Sequence, residues 1–341
     1  MLTKNHNLII CLTVDWEGEH FKNIYDLQSL MQKYAGDVPV THFICPAYFT
    51  SGLINSADKI KTVLKDDDEI ALHLHPFKSL INYCRIPFRA EHNYHKTRIS
   101  DLISHTPKPL RDFLERKFIS GRGVPISVYT DNEIDRMIKK CLHLLQNELN
   151  IAKVYGFRAG GWLLRDSIFP LLDENGIYYD SSAVPPEILS KGYSKNQPGI
   201  NLDDYGHDNG YFTKLITSLW GGNLQKKSFL RNRKIIEITN HQPVLKTTFP
   251  FNIGSIIEMP NNAGLSDFVS AQKTWIPLFH QSLEFSKETQ KPFFFNFGCH
   301  QEGDASYKLT VAEFMEYVKP FMDQIQFMTV YQASQLAGKY L

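Results

Sequence analysis

The sequence predicts an α/β fold, a single distorted, TIM-like (β/α) barrel with two irregular insertions. About eight short apolar segments alternate with helical segments, which is the order expected of parallel βα units. An open doubly wound sheet would satisfy that alternation as well. However, acidic, imidazole and guanidinium side chains follow several of the apolar segments, and a barrel brings the carboxyl ends of its strands to one face. These polar strand ends favour the barrel.

The predicted strands are short apolar segments, several of them rich in β-branched and aromatic residues. They lie at 8–13, 38–45, 69–75, 152–158, 177–180, 255–259, 292–299 and 326–330. The first strand leads directly into the acidic stretch Val14-Asp15-Trp16-Glu17, and the third ends in His73-Leu74-His75.

The predicted helices carry apolar residues at helical spacing, several of them with a capping residue at one end. They lie at 24–35, 56–64, 108–118, 131–149, 167–175, 266–286 and after 310, with a short helix at the carboxyl terminus. Two begin with a capping-box pattern, Thr130 with Glu133 and Thr310 with Glu313.

Two segments interrupt the alternation, at about 78–129 and 185–255, so we expect one domain over 1–341 with two insertions. Residues 78–123 hold ten Lys and Arg against four Asp and Glu, and they include Gly121-Arg122-Gly123. The second insertion is rich in Gly, Asn and Lys, and hairpin strands are expected at 234–239.

Composition narrows the class of protein. The 341 residues carry a formal charge of +1, which gives no argument for nucleic acid or an anionic membrane as a partner. The five cysteines are scattered without a Cys-x-x-Cys pair, which favours a reducing compartment. No signal peptide, transmembrane segment or glycine-rich nucleotide loop is predicted, so a cytoplasmic protein without a nucleotide cofactor is expected.

Two strand ends carry paired metal-binding side chains. Asp15 and Glu17 are two residues apart, as are His73 and His75, so each pair projects to one side of an extended backbone. Carboxylate and imidazole together suit Zn²⁺, or a related divalent ion such as Co²⁺, Mn²⁺ or Ni²⁺, in a three-ligand site. The alternative is a solvated acidic turn and ordinary histidines.

Short motifs follow one another at 13–17, 41–44, 69–73, 156–182 and 295–300. The most specific is Gly156-Phe157-Arg158 followed by Tyr179-Asp180-Ser181-Ser182. In content and order these motifs resemble those of the polysaccharide deacetylase family, the NodB-homology carbohydrate esterases. The resemblance implies a NodB-type barrel, covers the whole core and leaves out both insertions.

The resemblance also implies roles for individual residues. Asp15 would be the general base, and Arg158 would pair with it. His300 would be the general acid that protonates the departing amine. The predicted metal ligands are Glu17, His73 and His75, and Trp162 and Trp16 are the predicted substrate contacts.

The sequence departs from the family pattern at three points. The family's second motif places its second histidine four residues after the first, where this chain has Phe77, so His75 is assigned as ligand instead. Glu17 replaces a shorter aspartate, which leaves open whether Asp15 or Glu17 binds the metal. Gly160 or Ala159 stands where the family has proline.

The resemblance implies a metal-dependent hydrolase that removes an N-acetyl group from an amino sugar. A nucleotide- or lipid-linked precursor of a bacterial surface polysaccharide is the expected substrate. The alternatives are hydrolysis of another C–N bond, by a deformylase or cyclic amidase, and a catalytically silent carbohydrate-binding relative. The basic segment 78–123 is expected either to grip substrate phosphates or to form a solvated or oligomer-forming lid, and the oligomeric state stays open.

Overall fold

The computed structural model describes residues 8–89, 121–122, 124–184, 249–266 and 275–341. Its strands are β1 Leu8–Trp16, β2 Val40–Ile44, β3 Glu69–Leu74, β4 Gly156–Ala159, β5 Tyr179–Asp180, β6 Phe251–Ile253, β7 Ile256–Glu258, β8 Gly264–Leu265, β9 Phe293–His300 and β10 Ile325–Phe327. Its α-helices are α1 Ile24–Leu30, α2 Ser56–Lys61, α3 Lys78–Tyr83, α4 Asp131–Leu149, α5 Ile168–Glu174, α6 Ile276–Thr289, α7 Ala305–Val318 and α8 Val330–Ala337.

The strands form one curled sheet in the order β6-β7-β5-β4-β3-β2-β1-β9-β8, and β10 pairs with the start of β1. Apart from the antiparallel β6–β7 pair, the paired strands in the described part of the chain are parallel. Helices follow most of them along the chain, as in parallel βα units. The predicted fold class, a distorted TIM-like barrel, is confirmed.

A short segment after β7 links the two sides of the curl. The Met259 N–H donates to the Asp180 carbonyl at 2.7 Å, and the Asn261 N–H donates to Ala183 at 2.9 Å. Two residues later, the Ala263 N–H donates to the Asn296 carbonyl at 3.0 Å. Backbone hydrogen bonds therefore tie the β5 side of the sheet to β9.

The period-two alternation of β1 separates two environments. Leu8, Ile10, Leu12 and Val14 belong to the large core that also contains the helices. Ile9 and Cys11 face the other way, into a smaller apolar cluster with residues of α8. Further along the same inner face come Thr13 and Asp15, both buried. The polar end of the strand thus lies beyond an apolar layer inside the curl.

The first predicted capping box is confirmed. The Thr130 hydroxyl accepts from the Glu133 N–H at 3.4 Å, and the Glu133 carboxylate accepts from the Thr130 N–H at 2.8 Å, at the start of α4. Thr130→Ala is expected to lower the free energy of unfolding by about 1 kcal/mol. Urea unfolding checks this. Thr62→Ala is the matched exposed control and should have a smaller effect.

The second predicted capping box is wrong. Helix α7 already begins at Ala305, so Thr310 lies inside it, and its hydroxyl donates to the Ser306 carbonyl at 3.2 Å. A capping box occurs instead at Thr329 with Gln332, at the start of α8. Because this cap starts a helix, the observed strand β10 ends at Phe327, whereas the predicted strand 326–330 extended further.

Another observed boundary also differs from the predicted one. The helix expected from Ser266 begins at Ile276, because Ser266 continues from β8 and its N–H donates to the Gly298 carbonyl at 2.8 Å. The expected helix at 108–118 and the hairpin at 234–239 lie outside the described residues, as does most of both insertions. The arrangement as one domain with two insertions stays a prediction. Within the described residues, no helix has the length and apolar character needed to cross a membrane.

Candidate metal centre and active site

Four strands deliver the polar side chains to one end of the curl. β1 and β9 pair in parallel with Asp15 opposite His300, and β3 and β4 pair with His73 opposite Arg158. Since paired parallel strands share a direction, their carboxyl ends meet at one edge, as the sequence predicted. Glu17 immediately follows β1 in the chain.

Glu17 lies at the centre of the site. Its Oε1 is 3.5 Å from His73 Nε2 and 3.1 Å from His300 Nε2, and its Oε2 is 3.0 Å from His75 Nε2. The carboxylate and the imidazoles are buried. Burial raises the pKa of the Glu17 carboxyl. The positive charges and hydrogen-bond donors around it outweigh that effect and hold its pKa well below the usual range.

The hydrogen bonds at Nδ1 determine the tautomers of His73 and His75. His73 Nδ1 is 3.1 Å from the Arg158 carbonyl oxygen, and His75 Nδ1 is 2.9 Å from the Arg122 carbonyl oxygen. A carbonyl only accepts, so each Nδ1 carries a proton and donates. In the neutral ring, Nε2 then presents a lone pair. Burial lowers the pKa of His73, which favours that neutral form.

Glu17, His73 and His75 fit a divalent metal ion. Each offers one ligand atom, and these atoms lie within 4.8 Å of one another. In the described part of the chain, neither His73 Nε2 nor His75 Nε2 has a partner that meets hydrogen-bond geometry, although both are buried. Two imidazole lone pairs that face a carboxylate are stabilised by a cation between them, and nitrogen with carboxylate oxygen suits Zn²⁺ or a similar ion.

Asp15 is held by a different partner. Its Oδ1 accepts from Arg158 Nη1 at 2.5 Å, and both side chains are buried. Arg158 also donates to the Ser181 carbonyl at 3.0 Å and to its hydroxyl at 2.8 Å, and its guanidinium carbon lies 3.9 Å from the centre of the Phe43 ring. These contacts fix the guanidinium and so orient the Asp15 carboxylate beside the Glu17 cluster.

His300 is the last residue of β9, and a buried lysine ties it and the loop that follows to the core. Lys308 Nζ donates to the carbonyls of His300 at 3.2 Å and Gln301 at 2.9 Å, and also to that of Gly303. The Gln301 N–H donates to the Asp15 carbonyl at 2.8 Å. His300 is therefore held beside Glu17 by its own backbone.

Sequence reasoning missed two residues of the site, Glu302 and Arg122. The Glu302 carboxylate accepts from the Glu17 N–H at 3.2 Å and from the Tyr48 hydroxyl. Burial and the Glu17 charge raise the pKa of Glu302 to about 7. Arg122 donates from Nε to Glu17 at 3.1 Å. The one available signal for Arg122 was its position between two glycines in the basic insertion.

The predicted substrate contact at Trp16 is wrong. Its indole is fully buried, donates to His42 Nδ1 at 3.1 Å and packs edge-on against Tyr48, so it presents no surface to a ligand. Alternation along β1 explains this, because Trp16 faces away from Asp15. Trp162 is 6% exposed, and its predicted contact with substrate stays a prediction.

The position of the family's second histidine is filled by an apolar residue. Phe77 is buried in the large core, with its ring centre 6.0 Å from that of His75. Gly160 packs against the other side of the site, where an added Cβ would lie 2.4 Å from His75 Nδ1. The His75 ring thus occupies space that only glycine at position 160 leaves open.

Gly160→Ala is expected to displace the His75 ring and weaken divalent-metal binding by about 10–100-fold, the usual effect of disturbing a ligand's supporting contacts. Chelator competition with Zn²⁺ measures this. Gly338→Ala is the control, because the atom nearest to an added Cβ there is Ile257 Cδ1 at 3.2 Å. An unchanged metal affinity in Gly160→Ala would show that His75 does not bind the ion.

The fold and the site define a curled (β/α) barrel with a carboxylate–imidazole cluster at one end of its strands. No protein-family model matches the sequence, and no curated protein matches it. Similar folds occur among solved structures, including a Mycobacterium smegmatis protein assigned as a polysaccharide deacetylase, with 11% identity, a TM-score of 0.48, and coverage of 98% of this chain and 92% of that chain.

Two further solved structures are similar over comparable lengths. Puue allantoinase has 9% identity and a TM-score of 0.49, with coverage of 97% of this chain and 90% of that chain. A Pseudomonas aeruginosa PAO1 protein assigned as a polysaccharide deacetylase has 10% identity and a TM-score of 0.46, with coverage of 97% and 91%. At these values the likeness does not indicate the activity of this chain.

Proposed function

We propose that this chain is a metal-dependent hydrolase that removes an N-acetyl or other N-acyl group from an amino sugar. The observation that carries the proposal is the buried Glu17–His73–His75 cluster, whose two Nε2 atoms face a carboxylate, beside the Asp15–Arg158 pair. Asp15 pairs with Arg158, whereas Glu17 faces the two histidines. This difference supports Glu17, rather than Asp15, as the metal ligand.

The residues divide the reaction between them. A divalent ion held by Glu17, His73 and His75 would polarise the amide carbonyl and lower the pKa of a water molecule. Asp15 takes the proton from the attacking water, and Arg158 keeps that carboxylate in place. His300 gives a proton to the amine nitrogen as the C–N bond breaks. The products are a carboxylate, such as acetate, and a free amino sugar.

We propose a nucleotide- or lipid-linked precursor of a bacterial surface polysaccharide as the substrate, acted on in the cytoplasm, with Zn²⁺ as the metal. The described end of the first insertion supports a charged substrate, because Arg122 reaches the site with 36% of its side chain exposed.

The test is a screen of N-acetylated nucleotide sugars and short oligosaccharides for acetate release, with added Zn²⁺, Co²⁺ or Mn²⁺. We expect release that depends on the metal and disappears with chelator. If the purified protein binds none of these ions under any condition, the hydrolase proposal fails. Metal binding with activity only toward N-formyl or cyclic amide substrates would redirect it to another C–N bond.

A further inference from the structure

Arg122 contacts two members of the candidate metal cluster with two different parts of the residue. Its carbonyl oxygen accepts from His75 Nδ1 at 2.9 Å. Its side-chain Nε donates to Glu17 Oε2 at 3.1 Å. Its Nη1 donates to Glu19 at 3.1 Å, so the guanidinium is anchored on a second carboxylate outside the cluster.

The backbone approach that brings Arg122 there is built into the chain. Gly121 has φ of 98°, and a Cβ at this position would lie 2.5 Å from the Pro76 carbonyl oxygen and 3.0 Å from the Lys78 nitrogen. Glycine is therefore required for residues 121–122 to pack against the segment that directly follows His75. The Arg122 carbonyl reaches the His75 ring because of this close approach.

We propose that Arg122 is a positioning residue of the metal centre, contributed by the basic insertion rather than by the barrel strands. Its carbonyl fixes the tautomer and orientation of His75, and its guanidinium holds one oxygen of Glu17 so that the other faces His73. The proposal rests on the proposed function, since it assumes that Glu17, His73 and His75 bind a divalent ion.

Two effects of the guanidinium on metal affinity oppose each other. Its positive charge repels a divalent ion, and its hydrogen bond orients a ligand. The contact with Glu19 offsets part of the positive charge and so weakens the repulsion of the ion. Among the described residues, no other guanidinium donates to Glu17, so the orientation of this ligand depends on Arg122. The orienting effect on Glu17 therefore outweighs the repulsion. Removing partners of this kind typically weakens metal binding by about 10–100-fold.

The test is the dissociation constant for Zn²⁺, measured by chelator competition, together with the visible absorption spectrum of the Co²⁺-loaded protein. For Arg122→Gln we expect about 10–100-fold weaker Zn²⁺ binding and a changed Co²⁺ spectrum, because the Glu17 oxygen is released. Arg122→Lys keeps the charge but loses the planar fork, so it should also bind more weakly. Gly121→Ala moves the carbonyl away from His75 and should act in the same direction.

Two matched variants serve as controls. Arg89→Gln removes another arginine of the same insertion, which pairs with Glu133 of α4 at 2.8 Å, and should leave Zn²⁺ binding unchanged. Gly52→Ala introduces a side chain at a similar φ of 79° with nothing within 4 Å. Unchanged or tighter Zn²⁺ binding by Arg122→Gln would overturn the proposal. If the wild-type protein itself binds no divalent ion, the proposed function is what has failed.

Discussion

Asp15→Asn is expected to lower kcat for amide hydrolysis by about 10²–10⁴-fold, the usual contribution of a general base. The protein should keep its metal, because Asp15 bonds to Arg158 and lies outside the Glu17–His73–His75 group. Rates of acetate release and metal content of the purified variant, measured together, check both parts. Unchanged kcat would remove Asp15 from the role of base.

The same substitution should also cost stability. It takes the negative charge from a fully buried arginine, and breaking a buried pair of this kind costs up to about 3–5 kcal/mol. Urea unfolding measures that loss. Asp131→Asn is the control, since Asp131 pairs with Arg165 but is itself half exposed. Loss of metal from a folded Asp15→Asn protein would instead identify Asp15 as a ligand and exchange the roles of the two carboxylates.

Glu17→Gln is expected to weaken Zn²⁺ binding by more than the 10–100-fold typical of a supporting residue, because it removes a ligand itself. The thermal midpoint supplies a second measurement. A ligand present at one hundred times its dissociation constant stabilises the folded state by about 2.7 kcal/mol. Added Zn²⁺ should therefore raise the melting temperature of the wild-type protein and not that of Glu17→Gln.

Glu316→Gln is the control for Glu17→Gln. It removes a carboxylate from an exposed pair with Lys319, 2.7 Å apart, and should leave the response to Zn²⁺ intact. If Glu17→Gln responded to Zn²⁺ as the wild-type protein does, the ion would bind elsewhere on the chain. The two histidines facing Glu17 would then need another explanation for their unpartnered Nε2 atoms.

The arrangement of the site explains why these effects should be large. Asp15, Glu17, Arg158 and His73 are all almost fully buried, so each charge depends on its neighbours rather than on water. Below them, the apolar cluster around Ile9 and α8 fills the interior of the curl. A substitution here leaves a buried partner unmatched, which costs more than the loss of a surface contact.

The sequence by itself determined the fold class and the strand ends. Alternating apolar and helical segments are local patterns, and parallel strands necessarily place their carboxyl ends together. For that reason the sequence alone places six polar residues together: Asp15, Glu17, His73, His75, Arg158 and His300. The same reasoning could have excluded Trp16, since a strand's period of two turns it away from Asp15.

Only the tertiary structure decided the partners of those residues. Arg122 is 105 residues from Glu17 and lies in an insertion without periodic pattern, and Glu302 is 285 residues from Glu17. The contacts of the histidines with Glu17, at 3.0–3.5 Å, likewise come from the folded chain, whereas the pairing of Arg158 with Asp15 was already implied by the family resemblance. The alternation of side chains along a strand determines which face of the sheet each one lies on. The group that it contacts there depends on the packing of segments that are distant in the sequence, and a short motif contains no information about that packing.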